Sequence, residues 1–156
     1  MFYYTIDFLF LTQIKYISAS DVVLITSVKS IFSILLLIPA NIIVEILGRK
    51  NSVILGNVIN CIYMIIFMVS TSFSGILLAK FLSALAILIK NIAEPSLLNA
   101  SIPPSRYKSN IFAKIIAKGK SGYYVLAAIS KIIAGYVFTI NGYLPFICSL
   151  IILIIV

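Results

Sequence analysis

Long apolar runs constrain this chain more than any other feature. Six stretches, at 1–14, 21–46, 52–69, 75–98, 122–140 and 143–156, consist mainly of Ile, Leu, Val, Phe, Met and Ala, with polar connectors between them. About 20 mostly apolar residues let a helix cross the hydrocarbon core of a bilayer, where only a helix or a closed barrel satisfies its own backbone. Apolar residues make up 62% of the chain and charged ones 10%, against about 45–50% and about a quarter in soluble domains. Mean hydropathy is +1.19. Too little polar surface remains for a water-soluble core, so the fold expected is all-α and integral to the membrane, a single transmembrane helical domain over 1–156. The first and last stretches are shorter than a full span, and both are read as truncated helices.

The basic residues divide by connector. Arg49 and Lys50 follow the second stretch, and Arg106, Lys108, Lys114, Lys118 and Lys120 lie in a long loop at 99–121, whereas Lys15 stands alone on the other side. The positive-inside rule places the two basic loops in the cytoplasm of a multi-pass plasma-membrane protein. Most of the net charge of +8 is then topology, and nucleic acid is not expected as a partner. Within the long loop, Ile111, Phe112, Ile115 and Ile116 share one helical face while lysines take the rest, the pattern of an amphipathic helix lying on the inner leaflet. Pro103 and Pro104 turn the chain onto that surface. Ser18-Ala19-Ser20 imitates a signal-peptidase site, but no basic residue precedes the apolar stretch and Asp7 interrupts it, so it reads as the start of the fold. The chain has no His, which removes imidazole ligands and His-based catalysis. Cys61 and Cys148 sit far apart in apolar runs and read as small core residues. No metal site, cofactor or enzymatic constellation is expected.

The second connector carries the most specific pattern: Asn41-Ile-Ile-Val-Glu45-Ile-Leu-Gly48-Arg49-Lys50. Glu45 precedes Arg49 by four residues, the order that favours a helical ion pair. Arg49 and Lys50 fall where a helix C-terminus is negative, and Gly48 permits a sharp reversal. This segment resembles the signature loop between spans two and three of the major facilitator superfamily, Gly-x-x-x-Asp-x-x-Gly-Arg-(Arg/Lys). Glu45 takes the place of the Asp and Asn41 that of the first Gly, while Gly48, Arg49 and Lys50 match. Glu94-Pro95-Ser96-Leu97-Leu98-Asn99 and Ala127-Ala128-Ile129-Ser130 with Ala134-Gly135 are similar to a bacterial branch of that superfamily, and Lys80 stands at the place of a span-four Arg. The Gly-Pro-x-x-x-Gly motif of proton-coupled drug antiporters is absent from the fifth stretch. The resemblance covers essentially the whole chain and implies the N-terminal six-helix half of a twelve-span secondary transporter, with the C-terminal six helices missing. It also implies a latch at the cytoplasmic end, formed by Glu45, Gly48, Arg49 and Lys50 with Glu94 on span four.

Charged residues at membrane depth supply the remaining candidates. A lysine at mid-membrane costs about 2.5–3.5 kcal/mol on insertion scales, so each needs a reason to be there. Lys29, Lys80, Lys90 and Lys131 qualify, and the acids within reach are Asp7, Glu94 and Glu45. At about 100° per residue, Lys80, Ser83, Ile87, Asn91 and Glu94 share one face of the fourth stretch, which is expected to meet protein or a water-filled cavity. Lys80 has a second reading, snorkelling to the headgroups, and Lys90 a local one, pairing with Glu94 one turn on. Asp7, Lys29, Lys80, Ser83, Asn91 and Lys131 are the candidates for a central cavity that binds a small solute, an anion among the options, with Asp7 as the group that exchanges a coupling proton. The expected function is solute transport by alternating access, with the half inactive alone. The alternative is a non-transporting membrane partner or assembly protein, or a decayed transporter remnant.

Overall fold

The computed structural model describes residues 3–104 and 107–155. Arg106, counted above with the basic loops, lies outside the described residues. Those described form helices joined by short turns, without a strand: α1 (Tyr3–Leu9) widening into a π-turn (Phe10–Ile14), α2 (Ala19–Leu35), α3 (Leu37–Leu47), α4 (Arg49–Val69), α5 (Phe73–Ser101), α6 (Lys108–Ile140) and α7 (Leu144–Ile155). Three of them, α4, α5 and α6, are each long and apolar enough to cross a membrane. The pair α2–α3 meets the same criterion when taken as one bent span, and α7 is apolar but shorter. Large apolar side chains point outward along these helices, among them Ile34, Ile38, Ile132 and Ile154, the arrangement an acyl-chain solvent favours and water does not.

Local chemistry sets the breaks. The second stretch, expected as one span, is bent by 51° between α2 and α3. Pro39 has no N–H to donate to the Leu35 carbonyl, and its ring crowds that oxygen. Leu36 closes α2 on Phe32 (2.8 Å), and Ala40 restarts the ladder on Leu36 (2.9 Å). The basic connector expected at Gly48-Arg49-Lys50-Asn51 contracts to Gly48 alone, at φ 79 and ψ 159, a conformation open almost only to glycine. Ser18 caps α2: its Oγ accepts from the Asp21 N–H (3.2 Å) and donates to Oδ2 of Asp21 (2.7 Å).

The loop expected over 99–121 is mostly helix. α5 continues to Ser101, Pro103 and Pro104 follow its end, and α6 begins at Lys108 and runs unbroken through Gly119 and Gly122. The amphipathic segment and the fifth span are therefore one continuous helix in the structure. Glycine in a helix interior costs about 1 kcal/mol relative to alanine, too little to break a helix flanked by Lys, Ala and Ile.

Packing centres on α5, which α4 accompanies along most of its length. Ser52, Gly56 and Asn60 recur every fourth residue on the buried side of α4, the small-residue spacing that lets membrane helices approach closely. A Cβ on Gly56 would come within 2.6 Å of the Lys90 Cγ and 3.4 Å of the Ala86 carbonyl. Two apolar clusters flank this seam. The larger includes Phe10, Ile25, Met64, Phe67, Ile76 and Phe146, and the smaller Ala40, Val44, Ile89 and Ala93. By contrast Ala134 is the buried residue of α6, and Cys148, expected in the core, is exposed on α7.

Candidate functional site

Asp7 on α1 and Lys80 on α5, 73 residues apart, form an ion pair in which Lys80 Nζ donates to Asp7 Oδ2. Lys80 is 3% exposed and bonded to an acid on another helix, so it does not snorkel to the headgroups, and the pairing with Asp7 is one that the sequence did not announce. The ammonium also lies 4.7 Å from the centroid of the Phe67 ring, within cation–π range. Phe67 belongs to an aromatic cluster: its ring centroid is 5.5 Å from Phe10, 5.6 Å from Phe146 and 5.7 Å from Tyr63. Four helical segments, α1 with its π-turn, α4, α5 and α7, thus meet around one buried charge. One turn along α5, Ser83 is wholly buried and its Oγ has no protein hydrogen-bond partner, as has Oδ1 of Asp7. Buried polar atoms without partners are rare and mark places where a water, ion or solute group belongs. Lys29, half-buried on α2, is close enough to feel the charges of both Lys80 and Asp7.

The sequence missed a second lysine on the same aromatic cluster. Lys15, at the end of the π-turn, lies 5.5 Å from the Phe10 centroid and 5.8 Å from that of Tyr143. Its Nζ donates to the Met68 carbonyl at 2.6 Å, capping the C-terminal turn of α4. Burial pushes the Lys15 ammonium below its ordinary range. Tyr63 and Phe67, four apart and therefore on one helical face, were the available signal for this cluster.

Toward the other end, the polar face of α5 opens. Ser83 is buried, whereas Asn91 and Glu94 are exposed and line, with Asn60, Ile87, Lys90 and Tyr123, a cavity of ≈ 260 Å³ between α4, α5 and α6. Lys90 pairs with Glu94 at 3.5 Å. The signature segment lines a different cleft of ≈ 420 Å³, where Asn41, Val44, Glu45, Gly48 and Arg49 face Ile92 and Ser96 of α5. The structure thus brings Glu45 and Arg49 to α5 but does not join them to Glu94. That carboxylate is held by Lys90, one turn away on its own helix. Lys50 is exposed, and Lys131 stands exposed on α6, outside the two ion pairs found among the described residues. Of the six cavity candidates, Asp7, Lys80 and Lys29 share one locality with Ser83 one turn along α5, Asn91 lines the cavity between α4, α5 and α6, and Lys131 joins neither. No family model, curated protein or solved structure matches the chain.

Proposed function

We propose that the chain is the N-terminal six-helix half of a secondary transporter of the major facilitator type, set in the plasma membrane with its basic segments in the cytoplasm. The observation that carries this reading is the Asp7–Lys80 pair, an ion pair between two helices in the interior of an apolar bundle. Buried ion pairs add little net stability compared with apolar replacements, so a role in the working cycle is the better account of its presence. The signature segment at 41–50 supports the family, and the bent α2–α3 span supplies a helix with a built-in break.

The chemistry follows from charge balance in a low-dielectric site. While Asp7 is ionised it neutralises Lys80. When Asp7 takes up a proton, Lys80 needs another anion, and an anionic solute supplies it. Proton and anion then travel together, each stabilising the form of the site that holds the other. Ser83 Oγ and Asp7 Oδ1 are the unpartnered groups available to that solute.

The test is uptake by the complete transporter, this half together with its C-terminal six spans, in proteoliposomes under an imposed pH gradient, using radiolabelled monocarboxylates, dicarboxylates, amino acids and sugar phosphates, with internal pH followed in parallel. The expected result is one anion class whose entry moves protons and is lost in Asp7→Asn and Lys80→Met, both of which still insert. Anion uptake unchanged by Asp7→Asn would refute the coupling role. Sequencing the genomic region beyond both ends of the reading frame tests the half-transporter reading. Six further spans are expected there, and stop codons on both sides would overturn it. The latter result would select a non-transporting membrane partner, a reading favoured by the exposure of nearly all of α6.

A further inference from the structure

We propose that Lys108–Lys120, the first part of α6, binds the headgroups of anionic phospholipids and bends at Gly119 and Gly122 to lie on the membrane surface. The proposal rests on α6 spanning the bilayer, but on no transport activity.

Length is the first argument. Tyr123 and Tyr124 are 55% and 67% exposed, and exposed tyrosines concentrate at the membrane–water interface. From Tyr123 to Ile140, α6 measures about 26 Å, close to the hydrocarbon thickness of about 30 Å. The preceding part, Lys108 to Gly122, adds about 22 Å, well beyond a headgroup layer several ångströms deep. Held straight, that extension would carry Ile111, Phe112, Ile115 and Ile116 into water.

Amphipathic spacing is the second. Those four residues occupy a sector about 140° wide, with Lys114 and Lys118 along one edge and Lys120 beyond the other. Lys108 falls within the sector, but at the first residue of the helix, where its long stem can carry the ammonium out past the helix end. An in-plane helix needs this arrangement, apolar side chains down and ammonium groups at phosphate level. Gly119 and Gly122 have no neighbouring atom within 4 Å of where a Cβ would stand, so nothing packs against α6 on the side these glycines present.

Charge is the third, and it selects the lipid. From residue 95 to the last residue the sequence has no Asp or Glu, yet it carries Arg106, Lys108, Lys114, Lys118, Lys120 and Lys131. The four lysines at the start of α6 take part in neither ion pair found among the described residues. An anionic leaflet supplies the missing countercharge, at roughly fivefold in binding for each lysine near the surface.

The chain has no Trp, so one introduced tryptophan reports its own depth. Phe112→Trp probes the extension and Ile132→Trp the span, each in vesicles of brominated phosphatidylcholine with or without one third phosphatidylglycerol. Ile132→Trp is expected to be quenched in both vesicles. Phe112→Trp is expected to be quenched and blue-shifted only with phosphatidylglycerol. Adding Lys108→Gln, Lys114→Gln, Lys118→Gln and Lys120→Gln should shift the docked-to-free ratio by a factor on the order of several hundred, and molar salt should weaken docking by screening. An unquenched Ile132→Trp would show that the spanning reading has failed. With Ile132→Trp quenched, a Phe112→Trp signal indifferent to phosphatidylglycerol, or to the four glutamines, overturns the proposal.

Discussion

Breaking the Asp7–Lys80 pair from either side leaves a charge in the bundle interior, and the size of that penalty tests the site. Removing one partner of a buried pair costs about 3–5 kcal/mol, because the other charge stays desolvated. Asp7→Asn strands the ammonium of Lys80, which is 3% exposed. Its contact with the Phe67 ring at 4.7 Å is present with or without the Asp7 charge and cancels from the difference, so a loss of about 3–5 kcal/mol is expected. Lys80→Met strands instead a carboxylate whose side chain is 23% exposed, and its loss should fall at or below the low end of that range. Asp7→Asn with Lys80→Met removes both charges and should cost less than either single change. The coupling energy of the cycle is then at least about 3 kcal/mol, more than a hundredfold in the unfolding constant. Helicity followed through an SDS titration in mixed micelles measures all four proteins. Effects that simply add, to within about 0.5 kcal/mol, would mean that the two charges do not meet.

Three further changes probe the frame around the site. Gly48→Ala should destabilise by about 1–3 kcal/mol through backbone strain alone, since a Cβ there meets nothing within 4 Å; the same titration reads it, and a neutral result would contradict the φ of 79. Pro39→Ala should restore the hydrogen bond to Leu35 and straighten the 51° bend. Spin labels at Val23 and Ile46, both exposed, should then move apart by about 3 Å, and an unchanged distance would place the cause of the bend elsewhere. Tyr16 holds φ 54 and is 88% exposed, so Tyr16→Gly should stabilise the turn by about 1 kcal/mol, again by titration.

What the sequence made legible was what local chemistry controls. The apolar runs follow from the length a bilayer demands, and the polar face of α5 and the Lys90–Glu94 pair follow from helical periodicity. Pro103 and Pro104 after α5 are likewise local signals, whereas the cap that Ser18 gives α2 went unread. The Asp7–Lys80 pairing was not legible, because it joins positions 73 residues apart through the packing of α1 on α5, which no spacing encodes. Helix breakers differ in strength, and composition does not rank them. Pro39 was passed over inside an unbroken apolar run, although its missing donor bends the helix. Gly119 falls in the expected loop and Gly122 opens the fifth stretch, although isolated glycines lower helix stability without ending a helix. The latch from Glu45 through Arg49 to Glu94 presumed that Glu94 would reach across helices. A lysine one turn away, already on the same helix, is the nearer partner and requires no ordering of a second element.

The two ion pairs among the described residues therefore differ in what they respond to. Lys90 and Glu94 are four apart on one helix, so their separation is fixed by helical geometry whatever the neighbouring helices do. Asp7 and Lys80 stay paired only while α1 keeps its place against α5. Just past Asp7 the α-helix widens into the π-turn Phe10–Ile14, a ladder irregularity that often marks functional sites. At the end of that turn Lys15 is tied to the Met68 carbonyl of α4. α1 is thus anchored at one end to α4 and held by charge to α5, with an irregular turn between the two attachments. A shift of α1 about the π-turn would separate Asp7 from Lys80 without breaking the Lys15 contact. Proton uptake by Asp7 removes the charge that opposes such a shift. On the proposed function this is how a proton would be felt as helix movement: the pair opens when Asp7 is neutral, and Lys80 is left facing whatever anion enters.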